Sequence, residues 1–240
     1  MGDSVLRRVY RYLVQSQHEG LRTYEAVVHL LHRISDANSL LDVGCGDGVK
    51  TMHYARELGV DATKVYGIEQ QSQYVELASQ QVRVIQIDLE RELFPMGDEE
   101  IDVIICNQVL EHLKNIFTPM KEMARVVKTG GYLLIGLPNL AAIQNRALLL
   151  LGRQPLCNVI VGPHIRCFTT SGFIDFLKSN PNFELVEVTG ATLYPFPYPI
   201  VKYGASSFPG LSSYAFFLLK KVRHAPSQYG WEISGMDTLF

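Results

Sequence analysis

Residues 40–48 read LLDVGCGDG, and residues 49–58 continue as VKTMHYAREL. The first segment begins as a short apolar run and then breaks into closely spaced glycines. The second segment places its apolar residues at helical spacing. A strand, a tight turn and a helix in this order place a ligand at the helix N-terminus. The pattern therefore predicts the nucleotide-handling start of an α/β fold.

Two phosphate-binding turns do not fit these residues. A P-loop requires a second glycine directly before Lys-Ser/Thr, and Val49 stands at that place. Asp42 and Asp47 flank the turn, and their carboxylates would repel a polyphosphate. A dinucleotide fingerprint requires its third glycine three residues after the second, whereas Gly48 follows Gly46 by two. The ligand is expected to be less anionic than NAD.

The segment DVGCGDG, residues 42–48, resembles the first motif of class I S-adenosylmethionine-dependent methyltransferases. S-adenosylmethionine carries a sulfonium, an ammonium group and a single carboxylate, so acidic residues beside the turn are tolerable. The resemblance implies this cofactor and a Rossmann-like fold. It places the cofactor against Asp42, Gly44, Cys45 and Gly46.

Strand and helix patterns alternate along the rest of the chain. Strands are predicted at residues 65–69, 82–86, 101–107, 132–137, 183–188 and 214–222. A helix is expected from Thr118 to the glycine pair at residues 130–131. The alternation predicts an α/β fold with a Rossmann-like, doubly wound and mostly parallel seven-stranded sheet, whose last strand is antiparallel.

The chain divides into three parts on these patterns. Residues 1–36 are expected to form a cover of two N-terminal helices, the first over residues 4–14 and the second capped by Thr23. Residues 37–223 are expected to form the methyltransferase domain, with substrate-side insertions at residues 138–212. Residues 224–240 are polar and rich in Gly and Ser, which predicts a mobile tail.

Further cofactor positions are expected where the predicted strands end. Glu69 closes the second strand, at the distance from the turn where a ribose-binding carboxylate belongs, with a solvated strand-end glutamate as the alternative. The resemblance implies that Asp88 contacts the adenine, with a turn aspartate that caps local amides as the alternative. It also implies that the segment after the fourth strand lies against the methionine part of the cofactor. The expected positions are Glu69, Gln70, Asp88, Leu89, Asn107 and Gln108.

Two histidines, His112 and His164, lie in segments expected near the carboxyl ends of the strands. Either could serve as the general base that takes a proton from an oxygen acceptor. A structural, hydrogen-bonded histidine is the alternative for each. The pair Glu111-His112 resembles the pair found in ubiquinone-type O-methyltransferases.

Three residues are expected on the substrate side. Arg166 could hold a carboxylate or phosphate of the acceptor, or pair with a nearby acid. Tyr194 and Tyr198 belong to YPFPYP, residues 194–199, whose prolines exclude a helix or a central strand. This segment predicts a rigid aromatic wall for the substrate, with a surface loop anchored by its rings as the alternative.

The composition narrows the class of protein. A formal net charge of -2 and a pI near 6.4 give no global attraction to nucleic acid. The four cysteines form no CxxC pair and no zinc spacing with the seven histidines, so reduced structural thiols and no metal site are expected. No stretch approaches the ~20 apolar residues of a membrane span. The expectation is a cytoplasmic protein without stable membrane insertion, with a homodimer left open.

The predicted function is S-adenosylmethionine-dependent methylation of a small-molecule acceptor, most simply on an oxygen of a sugar or glycan, a quinone or another secondary metabolite. Residues 138–146 and 168–169 also resemble the MetW group, which implies a rival function as an activator bound to a homoserine acyltransferase. Exocyclic amino methyltransferases of nucleic acids carry Asp/Asn-Pro-Pro-Tyr/Phe after the fourth strand. This chain has Asn107 followed by Gln108 there, so nucleic acid is not expected as a partner.

Overall fold

A computed structural model of the protein describes residues 18–194, 196, 204–224 and 231, and within these residues seven strands form one sheet. The strands are β1 (Leu40–Val43), β2 (Val65–Glu69), β3 (Arg83–Gln86), β4 (Ile101–Asn107), β5 (Val127–Pro138), β6 (Phe183–Ala191) and β7 (Tyr214–Lys221). Their order in the sheet is β3-β2-β1-β4-β5-β7-β6. Strands β1, β2, β3, β4 and β5 pair with one another in parallel. Strand β7 runs antiparallel to both of its neighbours, β5 and β6. The predicted Rossmann-like fold with an antiparallel last strand is confirmed.

Helices cover both faces of this sheet. Six of the helices are α1 (His18–Leu31), α2 (Val49–Leu58), α3 (Ser72–Ala78), α4 (Phe117–Val126), α5 (Ile143–Leu150) and α6 (Thr170–Lys178). Strand side chains alternate between the faces, so Leu41 and Val43 lie in one core cluster and Leu40 lies in the other. Helices α4 and α6 pack in the first cluster, and α1, α2 and α3 pack in the second. Burial on both faces explains why β4 is almost entirely apolar.

The strand order reverses between β1 and β4, and this reversal determines where a ligand can bind. The chain runs from β1 outward to β2 and β3, and then returns to β4 on the other side of β1. In doubly wound sheets, ligands bind in the crevice outside the carboxyl ends of the strands at such a point. The segments that follow β1, β2 and β4 therefore define the candidate site.

The helix predicted to reach the glycine pair at residues 130–131 ends earlier. Helix α4 covers Phe117–Val126, and Val127 is already extended, with φ -69° and ψ 134°. Val127 pairs with the first residue of β4 and so begins β5. Gly131 lies inside β5, where an added Cβ would come within 2.6 Å of the Asp102 carbonyl oxygen. The glycine accommodates the close approach of two strands and does not end a helix.

Both chain ends differ in part from expectation. The predicted helix over residues 4–14 lies outside the described residues. The prediction of Thr23 as a helix cap is wrong, because Thr23 lies inside α1. Within the expected tail, Trp231 is buried against Phe183 and Phe176, and its indole N–H donates to the Leu177 carbonyl at 3.3 Å. Among the helices that are described, none is both long and apolar enough to cross a lipid bilayer.

Candidate active site

The glycine turn joins β1 to α2 and packs closely against the segment after β4. The amides of Gly44 and Cys45 donate to the Ile68 carbonyl of β2, at 2.8 and 3.0 Å. Gly44 has φ 79°, and a Cβ added there would overlap a methyl group of Val109. Gly46 has φ 56°, and a Cβ added there would meet no heavy atom within 4 Å. One glycine thus permits a contact within the protein, and the other borders open space that a ligand can fill.

Glu69 ends β2 beside this turn and is 9% exposed. Its Oε2 accepts a hydrogen bond from the Gly46 amide at 3.0 Å. Its Oε1 accepts from the amides of Gln70 and Gln71, at 2.8 and 2.9 Å. A carboxylate can accept about four hydrogen bonds, so Oε2 keeps capacity for a ribose hydroxyl. Glu69 therefore anchors the glycine turn, a role that its position in the sequence did not indicate.

Two residues of the first motif are held by contacts within the protein. Asp42 is 5% exposed, and its Oδ2 accepts from the Thr51 hydroxyl at 2.5 Å, which ties β1 to α2. Burial raises the pKa of Asp42 to about 7. Cys45 packs on Gly67 of β2, where an added Cβ would lie 2.6 Å from the Cys45 sulfur. These contacts account for both residue types, and cofactor contact by either residue stays a prediction.

The residues after β3 and β2 also have local partners. Asp88 accepts from the Glu90 amide at 2.9 Å through Oδ1, which is the turn-capping alternative. Leu89 is buried in the hydrophobic core. Gln70 is exposed, and its carbonyl accepts from the Gln86 side chain at 3.0 Å. An adenine or ribose contact by these residues stays a prediction.

The end of β4 carries two buried polar atoms that no other described residue satisfies. Asn107 Oδ1 and Gln108 Nε2 are buried and have no hydrogen-bond partner among the described residues. Gln108 has φ 59°, a conformation that costs a non-glycine residue about 1–3 kcal/mol. Its amide donates to the Gly136 carbonyl at 2.9 Å, which holds this conformation. A buried acceptor and a buried donor on consecutive residues are the groups that an ammonium and a carboxylate need, as in the methionine part of S-adenosylmethionine.

The structure brings the two candidate histidines together. The ring centroids of His112 and His164 are 4.9 Å apart at an angle of 67°. Nδ1 of His112 lies 3.2 Å from the Pro163 carbonyl oxygen, and Nδ1 of His164 lies 2.7 Å from that of Cys157. Because a carbonyl oxygen only accepts, each Nδ1 carries hydrogen and each Nε2 keeps a lone pair. Burial lowers the pKa of His112, which favours its neutral form.

Glu111, which is not among the site residues predicted from the sequence, joins these histidines. Its side chain is fully buried, and neither carboxylate oxygen has a hydrogen-bond partner in the part of the chain that the structure describes. Glu111 Oε1 lies 3.9 Å from His112 Nε2, and burial raises the pKa of Glu111 to about 8. Glu111, His112 and His164 are called the Glu-His-His cluster below. The signal for Glu111 is an acid that directly follows the apolar pair Val109-Leu110.

Arg166 is bound to the backbone of the segment after β4. Its Nε and Nη2 donate to the Lys114 carbonyl at 3.1 and 2.5 Å, and its amide donates to the Glu111 carbonyl at 3.0 Å. Arg166 thereby fastens the loop that carries His164. Tyr194 is half-buried in a turn after β6, and Tyr198 lies outside the described residues. Binding of an acceptor by Arg166 or by either tyrosine stays a prediction.

Comparisons with known proteins agree with this architecture. Residues 41–135 match the family model Methyltransf_11, described as a methyltransferase domain. The chain is 31% identical over 123 residues to a Mycolicibacterium smegmatis protein described as "Probable S-adenosylmethionine-dependent methyltransferase", which covers 49% of this chain and 45% of that protein. It is 29% identical over 123 residues to the bifunctional methionine biosynthesis protein MetXA/MetW of Rhodopirellula baltica, which covers 49% of this chain and 19% of that protein.

A solved structure supports the fold over most of the chain. It is that of a Thermotoga maritima S-adenosylmethionine-dependent methyltransferase, described as a possible histamine N-methyltransferase. The TM-score is 0.61 at 18% identity, over 89% of this chain and 99% of that chain. A likeness at this identity bears on the fold alone.

The doubly wound sheet has the Rossmann-like fold of that solved structure, and residues 41–135, which include the glycine turn, match the model of a methyltransferase domain. S-adenosylmethionine is the cofactor that this similarity implies. The chain spans less than half the length of the two curated relatives named above.

Proposed function

We propose that the chain is an enzyme that transfers the methyl group of S-adenosylmethionine to an oxygen of a small-molecule acceptor. The acceptor class is a sugar or glycan, a quinone or another secondary metabolite. The observation that carries the proposal is the position of the Glu-His-His cluster. The cluster begins two residues after Val109, the side chain that packs on Gly44 of the glycine turn. Groups that can bind and activate a hydroxyl thus follow closely, along the chain, the side chain that touches the turn expected to hold the cofactor.

The protein's part in this reaction is to position two ligands. The bound cofactor supplies an electrophilic methyl group on a sulfonium. Gly46 leaves room for it at the turn, and Glu69 offers Oε2 to its ribose. The unsatisfied amide groups of Asn107 and Gln108 are suited to its methionine part. In-line displacement gains much of its rate from such positioning.

A second candidate is an activator of the MetW type that binds a homoserine acyltransferase. The similarity to the bifunctional MetXA/MetW protein favours this candidate. Such a chain would bind the cofactor but would leave small molecules unmethylated.

Two experiments test the proposal. Calorimetric titration with S-adenosylmethionine and with its thioether product measures cofactor binding, and ATP and NAD serve as controls. Binding of the two sulfur compounds alone supports the proposal, and binding of ATP or NAD alone contradicts it. A metabolite extract with isotope-labelled methyl donor then tests the reaction by mass identification of labelled products. Label in a small molecule supports the enzyme, whereas no label and a co-purified acyltransferase support the activator.

A further inference from the structure

We propose that the Glu-His-His cluster binds one divalent transition-metal ion, and that this ion holds the oxygen of the acceptor. The role of the ion rests on the proposed function, whereas the site itself rests on the geometry of three side chains. The cysteines show no zinc spacing, so the sequence alone predicts no metal site. The cluster contains no cysteine and is assembled by the fold.

The ligand atoms of the cluster converge. One oxygen of Glu111 and one ring nitrogen each of His112 and His164 lie within 4.8 Å of one another. Ligand atoms bound to Zn²⁺ at about 2.0–2.2 Å are about 3–4 Å apart, so an ion needs only a small contraction of the cluster. The His112 side chain is 40% exposed, so packing encloses it only in part.

Both imidazoles are oriented in the way that metal-binding histidines usually are. A ligating histidine almost always donates its other ring N–H to a carboxylate, a backbone carbonyl or water. Here the carbonyls of Pro163 and Cys157 accept from the Nδ1 atoms, which leaves the Nε2 lone pair of each ring for an ion. The structure thus supplies the outer partners of the site as well as its ligands.

The carboxylate of Glu111 is an independent sign of a missing partner. It is fully buried, and both oxygens lack a hydrogen-bond partner among the residues described. A buried polar group left unsatisfied costs about 1–3 kcal/mol, and more when it is charged. A divalent ion at the cluster would bind this carboxylate and remove that cost.

Backbone hydrogen bonds hold the two halves of the cluster together. The amides of Ile165 and Arg166 donate to the Glu111 carbonyl at 2.8 and 3.0 Å. The Arg166 guanidinium binds the Lys114 carbonyl on the same side. His164 is therefore held near Glu111 without an ion, which lowers the ordering cost of binding one.

The ligand types select the class of metal. Mg²⁺ and Ca²⁺ prefer oxygen ligands, whereas imidazole suits Zn²⁺, Fe²⁺, Co²⁺ and Ni²⁺. Three protein ligands leave a coordination position open for water or for an oxygen of the substrate, as in catalytic zinc sites. The site is thus suited to binding a hydroxyl group.

An ion at this position would activate the acceptor. Coordination to Zn²⁺ lowers the pKa of water from about 15.7 to about 7–9, and an acceptor hydroxyl is affected in the same sense. The hydroxyl loses its proton to water, and the oxygen lone pair forms a bond to the methyl carbon. The bond from that carbon to sulfur breaks with its electron pair going to sulfur, which gives a methyl ether and a neutral thioether. Nε2 of His112 and His164 would then act as ligands and not as bases.

Metal titration of the full chain tests the site directly. The protein is stripped with a chelator and titrated with CoCl₂, followed by the visible absorption of bound Co²⁺, with ZnCl₂ as competitor. We expect one Co²⁺ per chain, displaced by Zn²⁺. Glu111→Gln, His112→Ala and His164→Ala should each weaken Co²⁺ binding by more than the about 10- to 100-fold that follows loss of an outer-shell partner. His53→Ala, at an exposed histidine of α2, is the matched control and should bind Co²⁺ as the wild type does.

The same variants separate the metal site from the proposed function. Circular dichroism checks that each variant is folded, and Glu111→Gln preserves the side-chain volume. Failure of the stripped wild type to take up a stoichiometric ion overturns the inference, and so does equal Co²⁺ binding by wild type and all three variants. Co²⁺ binding at the cluster without binding of S-adenosylmethionine upholds the site and removes the proposed function. If the protein binds S-adenosylmethionine but takes up no Co²⁺, the metal site is refuted and the proposed function stands.

Discussion

Gly44→Ala tests how the glycine turn packs on the segment after β4. The added Cβ would overlap a methyl group of Val109, and the φ of 79° is unfavourable for alanine. A left-handed conformation costs about 1–2 kcal/mol, and overpacking a core contact costs about 1–3 kcal/mol. We expect the free energy of unfolding to fall by about 2–5 kcal/mol. Native domains have a free energy of unfolding of about 5–15 kcal/mol, so the variant should remain folded over most of this range of loss.

Matched variants separate the two contributions. Gly59 has φ 68° and no heavy atom within 4 Å of an added Cβ, so Gly59→Ala should lose only the backbone contribution of about 1–2 kcal/mol. Val109→Ala removes the methyl groups that collide. The double variant Gly44→Ala/Val109→Ala should therefore be destabilised less than the two single variants together, with a coupling of about 1–3 kcal/mol. Urea unfolding, followed by circular dichroism, measures the free energy of unfolding of these four variants and of the wild type.

Two results would refute this reasoning. The first is additivity of the Gly44→Ala and Val109→Ala losses within about 0.5 kcal/mol, which would mean that the side chains do not collide. The second is a Gly44→Ala protein as stable as Gly59→Ala. Calorimetry adds a test of the open space, because Gly46→Ala should match Gly59→Ala in stability but bind S-adenosylmethionine more weakly.

The remaining predictions concern three charged side chains. Glu69→Ala should weaken cofactor binding and lower the free energy of unfolding by about 1.5–3 kcal/mol, because three amides lose a charged acceptor; calorimetry and urea unfolding that both match wild type would contradict this. Burial raises the native pKa of Asp42 from 3.8 to about 7, so the native state binds the extra proton and stability should fall as pH rises from about 4 to 7. Asp42→Asn should make the free energy of unfolding less dependent on pH in this range. Equal slopes of that free energy against pH in the wild type and in Asp42→Asn would contradict the prediction. Lys221→Met should lower the free energy of unfolding by about 3 kcal/mol, because its buried ammonium donates to the carbonyls of Ala124 in α4 and Val127 at the start of β5, both at 2.8 Å. Urea unfolding measures this, with the exposed variant Lys64→Met expected within about 0.5 kcal/mol of wild type.

Local signals were sufficient for much of the fold. The predicted bounds of β2 and β4, residues 65–69 and 101–107, match the structure because each apolar run ends in a polar residue. The end of α4 required information from elsewhere in the chain. A glycine pair after a helical pattern resembles a helix end, but the pairing of Val127 with β4 begins the next strand first. The place of β7 inside the sheet is likewise not marked by any local pattern.

The candidate site shows the same division. Gly44 and Gly46 could be predicted because their spacing reflects a local turn. The position of His164 near Glu111 could not be predicted from the sequence. It depends on the amides of Ile165 and Arg166, which donate to the Glu111 carbonyl. Backbone hydrogen bonds of this kind leave no mark on residue type. For the same reason, the observed partner of Arg166 is a carbonyl oxygen, which the sequence could not indicate.

The position of β7 has a consequence for synthesis of the chain on the ribosome. Strands β1 to β5 are complete by Pro138, so the crevice for the cofactor can begin to assemble early. β5 and β6 have no shared neighbour until Tyr214–Lys221 emerges and inserts between them. During that interval the nascent polypeptide presents unpaired strand edges, which are templates for aggregation. Of the seven described strands, the one made last is therefore the one that completes the sheet.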